Sequence, residues 1–183
     1  DGVTSTALLY SYLSGAGANV DYYIPDRAGE GYGMNISAIE ALKERGTKLI
    51  ITVDNGISAI EEIEKARELN IDVVVTDHHQ AGDVLPDAVA VVDPHRKDCE
   101  MDFREWAGVG VAFKLVSALA DCDVYDLLEA YGDILAIGTI ADIVALKGEN
   151  RILVRAGLAV LNDALNSGTL RKGLKALIDE SGA

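Results

Sequence analysis

Short unbroken apolar runs alternate along the chain with longer stretches in which apolar positions return every three or four residues. The first rhythm predicts buried strands and the second amphipathic helices. An opening helix carries Ala7, Leu8, Leu9, Tyr12 and Leu13, and a strand at residues 20–24 follows it. A glycine-rich loop then runs through Gly33, and a helix over 36–45 stands behind Asn35 as its cap. Next come a strand at 48–53, a helix at 58–69, a strand at 72–76 and a short strand at 88–92. From Trp106 onward the pattern is helical, over 109–120, 124–131, 133–144, 151–162 and 170–178. Alternation of this kind predicts an α/β fold, a doubly wound and mostly parallel sheet flanked by helices over residues 1–145. Residues 146–183 are then a helical C-terminal extension or connector.

Two of the strands stop on an acid. Ile50-Ile51-Thr52-Val53 runs into Asp54-Asn55-Gly56, and Val73-Val74-Val75-Thr76 runs into Asp77-His78-His79. In open α/β sheets the carboxyl ends of parallel strands face the ligand crevice, and a right-handed crossover brings neighbouring ends together. Asp54, Asp77, His78 and His79 are therefore expected to line one crevice. Crowded carboxylates repel and are relieved by a cation between them. A lone strand-end Asp also serves as a helix cap or a turn residue; two adjacent histidines in a chain with three favour a metal site. Asp1-Gly2-Val3-Thr4-Ser5-Thr6 leads into the opening helix, where free backbone N–H groups and hydroxyls suit a phosphate oxygen or an ordinary cap.

Composition narrows the picture. At 183 residues and 49% hydrophobic, the chain is long enough for one well-buried core. It contains no stretch of 18 or more apolar residues. Its two cysteines, Cys99 and Cys122, fit neither a disulfide framework nor a cysteine-rich zinc site, so a cytoplasmic setting is expected. Thirty acids against sixteen Lys and Arg give a net charge of −14, which repels a polyanion unless bound cations offset part of it. Glu61, Glu62, Glu64 and Glu68 lie on the polar face of one helix and read as solvated surface.

Taken together, these segments resemble the DHH phosphoesterase family, and in finer pattern its RecJ-like single-strand-specific exonucleases. The likeness covers nearly the whole chain. Besides Asp77-His78-His79 it includes Tyr23-Ile24-Pro25-Asp26-Arg27, Glu30-Gly31-Tyr32-Gly33, Val91-Val92-Asp93-Pro94-His95-Arg96, the segment 107–115, Gly138-Thr139-Ile140-Ala141-Asp142-Ile143-Val144, and Glu149-Asn150-Arg151. The family's first motif, Asp-x-Asp-x-Asp-Gly, ends its first strand, and this chain opens on what resembles the last Asp of it. A truncated first strand, and a later strand-gripping domain lying outside this chain, are therefore expected; the piece by itself is expected to bind DNA poorly and to be impaired in catalysis.

The resemblance implies two divalent ions, Mn2+ or Mg2+, and metal-dependent phosphodiester hydrolysis on single-stranded DNA from the 5′ end in repair or recombination. Carboxylate with imidazole also suits Mn2+ on grounds of ligand softness. Asp1, Asp54, His78 and Asp142 are the expected metal ligands, Asp54 bridging because its strand is expected to be central. Asp142 lies in a stretch so apolar that its carboxylate needs a partner, unless it turns to solvent at a helix end. Asp77 is expected to orient an imidazole. His79 binds metal, donates to a phosphoryl oxygen or acts as general acid, with a substrate-side role favoured. Candidate phosphate contacts are Arg27, Asn55, His95, Arg96, Gly108 and Gly110; against them stand a turn role for Asn55, surface ion pairs for the cations and helix packing for the glycines. Implied partners are a helicase or a single-strand-binding protein. Other readings of the same residues are a short-RNA nuclease, a cyclic-dinucleotide phosphodiesterase, a pyrophosphatase, or a non-catalytic interaction module derived from the family.

Overall fold

The computed structural model describes residues 1–26, 29 and 31–182. Three strands, β1 (Leu49–Val53), β2 (Asp72–Thr76) and β3 (Ala90–Val92), form a parallel sheet in the order β1-β2-β3. Val53 stands opposite Thr76, and Thr76 opposite Val92. The next residue of each strand is an acid, so Asp54, Asp77 and Asp93 leave the sheet side by side at its carboxyl edge.

Helices cover both faces, where the crossovers of a parallel sheet place them over its apolar side chains. On one side α2 (Ile36–Glu44) and α3 (Ile60–Glu68) press Ile39, Ile63 and Ala66 onto Ile50, Val73 and Val75. On the other, α1 (Gly2–Gly15), α4 (Gly108–Leu119) and α5 (Val124–Ala141) bring Leu8, Val109, Phe113, Val116 and Leu135 together with Ile51 and Val53. Ile50 and Ile51 belong to opposite clusters, which is the two-residue alternation of a strand buried on both sides. Full burial of a side chain such as Phe113 or Ile63 contributes about 1.5–3 kcal/mol. Two further helices, α6 (Gly148–Ser167) and α7 (Lys172–Ser181), complete the chain, α6 packing along α5.

The structure departs from the sequence reading in three places. Residues 20–24 form no strand: a cavity of about 910 Å³, lined by Leu9, Leu13, Leu42 and β1, separates them from the sheet, and a strand exists only with a hydrogen-bonded neighbour. In consequence β2, not the strand of Asp54, is central among the described strands. The helices expected at 124–131 and 133–144 are one helix, α5. Gly132 does not break it; the glycine lies where α5 crosses α6, and a Cβ there would stand 3.1 Å from the Cα of Gly157.

Candidate metal centre

Asp54 is held in a left-handed backbone conformation, φ 60°, which Asp tolerates better than most residues. Its turn is tied down on each side. The Thr52 hydroxyl donates to the Asn55 carbonyl at 2.7 Å, the Asn55 side-chain amide donates to the Val53 carbonyl at 2.8 Å, and the Tyr32 hydroxyl donates to the Asp54 carbonyl at 2.6 Å. Gly56 continues the turn at φ 111°, where a Cβ would meet the Thr52 hydroxyl at 2.7 Å. Asn55 is therefore engaged in shaping this turn rather than presented to a ligand.

Asp77 is the most enclosed of the site acids, with 1% of its side chain exposed. Its Oδ2 accepts from the Ile57 amide at 2.9 Å; its Oδ1 accepts from the amides of His78 at 2.7 Å and His79 at 3.2 Å. The same Oδ1 lies 2.7 Å from Nδ1 of His79. This pairing leaves Nε2 of His79 as the nitrogen available outward, on a side chain 49% exposed. The Tyr32 ring meets the His79 ring edge-on, with centroids 6.1 Å apart.

Three carboxylates surround Nε2 of His78: Asp54 Oδ1 at 2.9 Å, Asp1 Oδ2 at 3.8 Å and Asp142 Oδ2 at 3.8 Å. They come from the end of β1, the start of α1 and the C-terminal cap of α5, so one point draws on residues 141 positions apart in sequence. Asp1, His78 and Asp142 offer ligand atoms within 4.8 Å of one another, as do Asp54, Asp77, His78 and His79. Burial lowers the affinity of His78 for a proton, but the hydrogen bond it donates to Asp54 and the charges of Asp142, Asp54 and Asp77 outweigh it, and its pKa is raised. Burial raises that of Asp142, and Asp54 adds to the rise while His78 opposes it. In the absence of metal a proton is the charge that relieves this crowd; oxygen donors with one imidazole fit a divalent cation such as Mn2+ in its place.

Neighbouring glycines set the spacing. The Asp1 carboxylate accepts from the amides of Gly108 at 2.5 Å and Val109 at 3.0 Å, which fixes it to the N-terminus of α4. A Cβ on Gly108 would stand 2.6 Å from the Cβ of Asp54, so only glycine lets this helix approach so closely. Asp142 follows the last turn of α5, and the next residue, Ile143, reverses the chain at φ 62°.

The candidate phosphate contacts fare differently. The Arg96 guanidinium spans Asp98 at 3.0 and 2.6 Å and also donates to the Val91 carbonyl, so each of its three nitrogens is engaged within its own loop; the bond to Asp98 raises its pKa. The Gly108 amide is taken by Asp1, and Gly110 serves packing, since a Cβ there would lie 2.8 Å from the Trp106 ring. His95 donates its backbone N–H to Asp93 at 2.6 Å, while its Nδ1 is buried with no hydrogen-bond partner. Arg27 lies outside the described residues.

Two neighbours of the centre escaped the sequence reading. Asp93 has a side chain with no exposed surface, an unpartnered Oδ2, and a pKa raised by burial and by Asp77 against the opposing bond from His95. Its signal was present in the run Val91-Val92-Asp93, a third acid at a strand end. Tyr32, which touches both Asp54 and His79, sits on a loop with no periodicity to mark it.

Comparison with known proteins places this geometry. The DHH family, N-terminal domain, matches residues 1–139. The single-stranded-DNA-specific exonuclease RecJ of Bacillus subtilis is 50% identical over 182 residues, which is 100% of this chain and 22% of that protein. RecJ of Escherichia coli is 41% identical over 192 residues, 98% of this chain and 32% of that protein. The chain thus spans under a third of the length of these relatives. The solved structure of exonuclease RecJ bound to manganese superposes with a TM-score of 0.72 at 38% identity, covering 85% of this chain and 40% of the other. RecJ from Thermus thermophilus in complex with Mn2+ gives 0.65 at 35% identity, over 86% of this chain and 22% of that one.

Proposed function

We propose, from the premise that this chain belongs to the DHH family, that it is the metal-bearing catalytic core of a RecJ-like exonuclease that hydrolyses single-stranded DNA from the 5′ end. The convergence of Asp1, Asp54 and Asp142 on one nitrogen of His78 carries this reading. Asp1, Asp54, His78 and Asp142 would hold divalent ions, Mn2+ or Mg2+, in the full-length protein. Divalent ions held there would lower the pKa of bound water and neutralise phosphoryl charge.

The chain's own residues do the remainder. Asp54, fixed by its turn, presents Oδ1 to His78 and would offer its carboxylate to a bound cation. Asp77 holds Nδ1 of His79 and so aims Nε2 at the substrate side, where a proton on it stabilises the leaving oxygen. His95, partly exposed and with Nδ1 3.8 Å from Asp93 Oδ1, is the better of the remaining phosphate contacts, Arg27 a further one. Residues 1–145 form the phosphoesterase domain and 146–183 the connector to a further domain. The free edge of β1 and the 910 Å³ cavity beside it support another strand on that side, bearing the rest of the family's first motif. Such a strand would make β1 central and Asp54 the bridging acid.

The setting proposed is the cytoplasm, on the basis of two unpaired cysteines; among the described residues no helix is long and apolar enough to cross a membrane. A net charge of −14 supports a strand-gripping surface on another part of the full-length protein, and a helicase or a single-strand-binding protein is the proposed partner that delivers the DNA. The deciding experiment offers the full-length protein labelled single-stranded DNA, duplex DNA, short RNA, cyclic dinucleotides and pyrophosphate in Mn2+. Preferred turnover of single-stranded DNA from its 5′ end is expected; preference for dinucleotides or pyrophosphate overturns the assignment, and no Mn2+ binding at all favours a scaffold.

A further inference from the structure

Among the described residues, three other than glycine adopt left-handed backbone conformations: Asp54, Asn70 and Ile143. Asn70 ends α3 in a role that Asn fills readily, and Asp54 is a member of the metal centre. Ile143 has neither excuse. A β-branched residue at φ 62° is a steric outlier, and the position it occupies, just past the cap of α5, is one that glycine takes in ordinary helix ends. Its side chain finds no compensation within the fold, since Ile143 is 89% exposed. The backbone there requires no isoleucine: the Ile143 amide simply closes the turn on the Ile140 carbonyl at 3.2 Å, as any residue's would. The residue before it is Asp142, whose carboxylate lies 3.8 Å from His78. Strain held at an exposed position next to reacting groups points to a ligand as the missing partner.

We propose that Ile143 is an apolar contact for the base of the nucleotide whose phosphodiester sits at the metal centre. The inference rests on the nucleic-acid reading above and extends it to a residue that recognises substrate without touching the reacting atoms. Base faces are apolar and pack against aliphatic as well as aromatic side chains whatever their sequence, which suits an enzyme that consumes every nucleotide in turn. The strained turn leaves the side chain exposed, so the base and the phosphate would be met by adjacent residues.

The test uses the full-length protein with Mn2+ and two 5′-labelled oligonucleotides, one intact and one carrying an abasic nucleotide at the 5′ end. Wild type is expected to favour the intact strand by about tenfold in kcat/KM, the lower part of the range that loss of an apolar contact to substrate produces. Ile143→Gly and Ile143→Asn both suit a left-handed conformation and remove the apolar group. Each is expected to bring the two strands within about twofold of one another through a higher KM on the intact one, with kcat unchanged and thermal stability equal to or above wild type. An undiminished preference in both variants overturns the proposal. A drop in stability with the preference retained does so too, and identifies Ile143 as an internal or interdomain contact. If wild type degrades neither strand, the nuclease reading itself fails, a result distinct from equal variants of an active enzyme.

Discussion

Replacing Gly108 by alanine places one methyl group at the most crowded point of the centre. The added Cβ would lie 2.6 Å from Cβ, 2.8 Å from Oδ1 and 2.9 Å from Cα of Asp54, against an ordinary carbon–carbon contact of about 3.5–4.0 Å. Two of those atoms are the root of the Asp54 side chain, so no rotamer change clears them, and the Asp54 turn is tied by Thr52, Asn55 and Tyr32. The N-terminus of α4 must then retreat by about 1 Å and draw its amides away from Asp1, which they now hold at 2.5 and 3.0 Å. Overpacking of this kind costs about 1–3 kcal/mol, offset by about 0.5–1 kcal/mol from the reduced freedom of the unfolded chain. Displacement by that distance of Asp1 and Asp54, two of the proposed metal ligands, is expected to lower turnover about 100-fold. Mn2+ titration by calorimetry and the rate on a labelled single strand measure the effect in the full-length protein. Gly173→Ala is the control: nothing lies within 4 Å of its Cβ, and it is expected to keep full activity and lose no stability. Wild-type Mn2+ affinity and turnover in Gly108→Ala would refute the reasoning.

Further outcomes follow from the same geometry. Asp77→Asn removes the charge that holds His79 and is expected to lower kcat about 10- to 100-fold with Mn2+ stoichiometry unchanged, read by steady-state kinetics beside calorimetry. Gly157→Ala forces a methyl into the Gly132 carbonyl and against the Ala136 Cβ, and is expected to cost about 3 kcal/mol in urea unfolding, far from the chemistry. Metal-free protein is expected to lose stability as pH rises. The raised pKa of His78 contributes stability below its ordinary 6.5 that disappears as pH climbs through the folded value, and the raised values of Asp142 and Asp93 act in the same direction from 3.8 upward. Saturating Mn2+ is expected to reverse that slope, because the cation replaces the proton, and to add about 2.7 kcal/mol at a hundredfold excess over its Kd. Urea midpoints at about pH 5.5 and 8, with EDTA or Mn2+, separate the two cases.

What the sequence disclosed depended on whether a signal was local. Strands that end on acids are local, and parallel pairing of β1 with β2 brought Asp54, Asp77, His78 and His79 together as the periodicity implied. Asp142 was legible for another reason, an acid in too apolar a stretch to stand alone. The run 20–24 has the composition of a strand, but pairing is a property of neighbours, and composition cannot supply the neighbour. Gly132 looked like a helix break because its purpose, close approach to Gly157, belongs to a residue 25 positions on. Arg96 looked like a phosphate clamp, yet Asp98 two residues later takes its fork. The left-handed turn at Ile143 had no sequence signal, since isoleucine is among the residues least expected there.

The centre is tested most directly by anomalous diffraction at the manganese edge from crystals of the full-length protein grown with Mn2+. Peaks within coordination distance of Asp1, Asp54 and Asp142 oxygens and Nε2 of His78 are expected, about 3.5–4 Å apart where two ions bind. Manganese bound elsewhere, with these four side chains turned away from one another, would contradict the account.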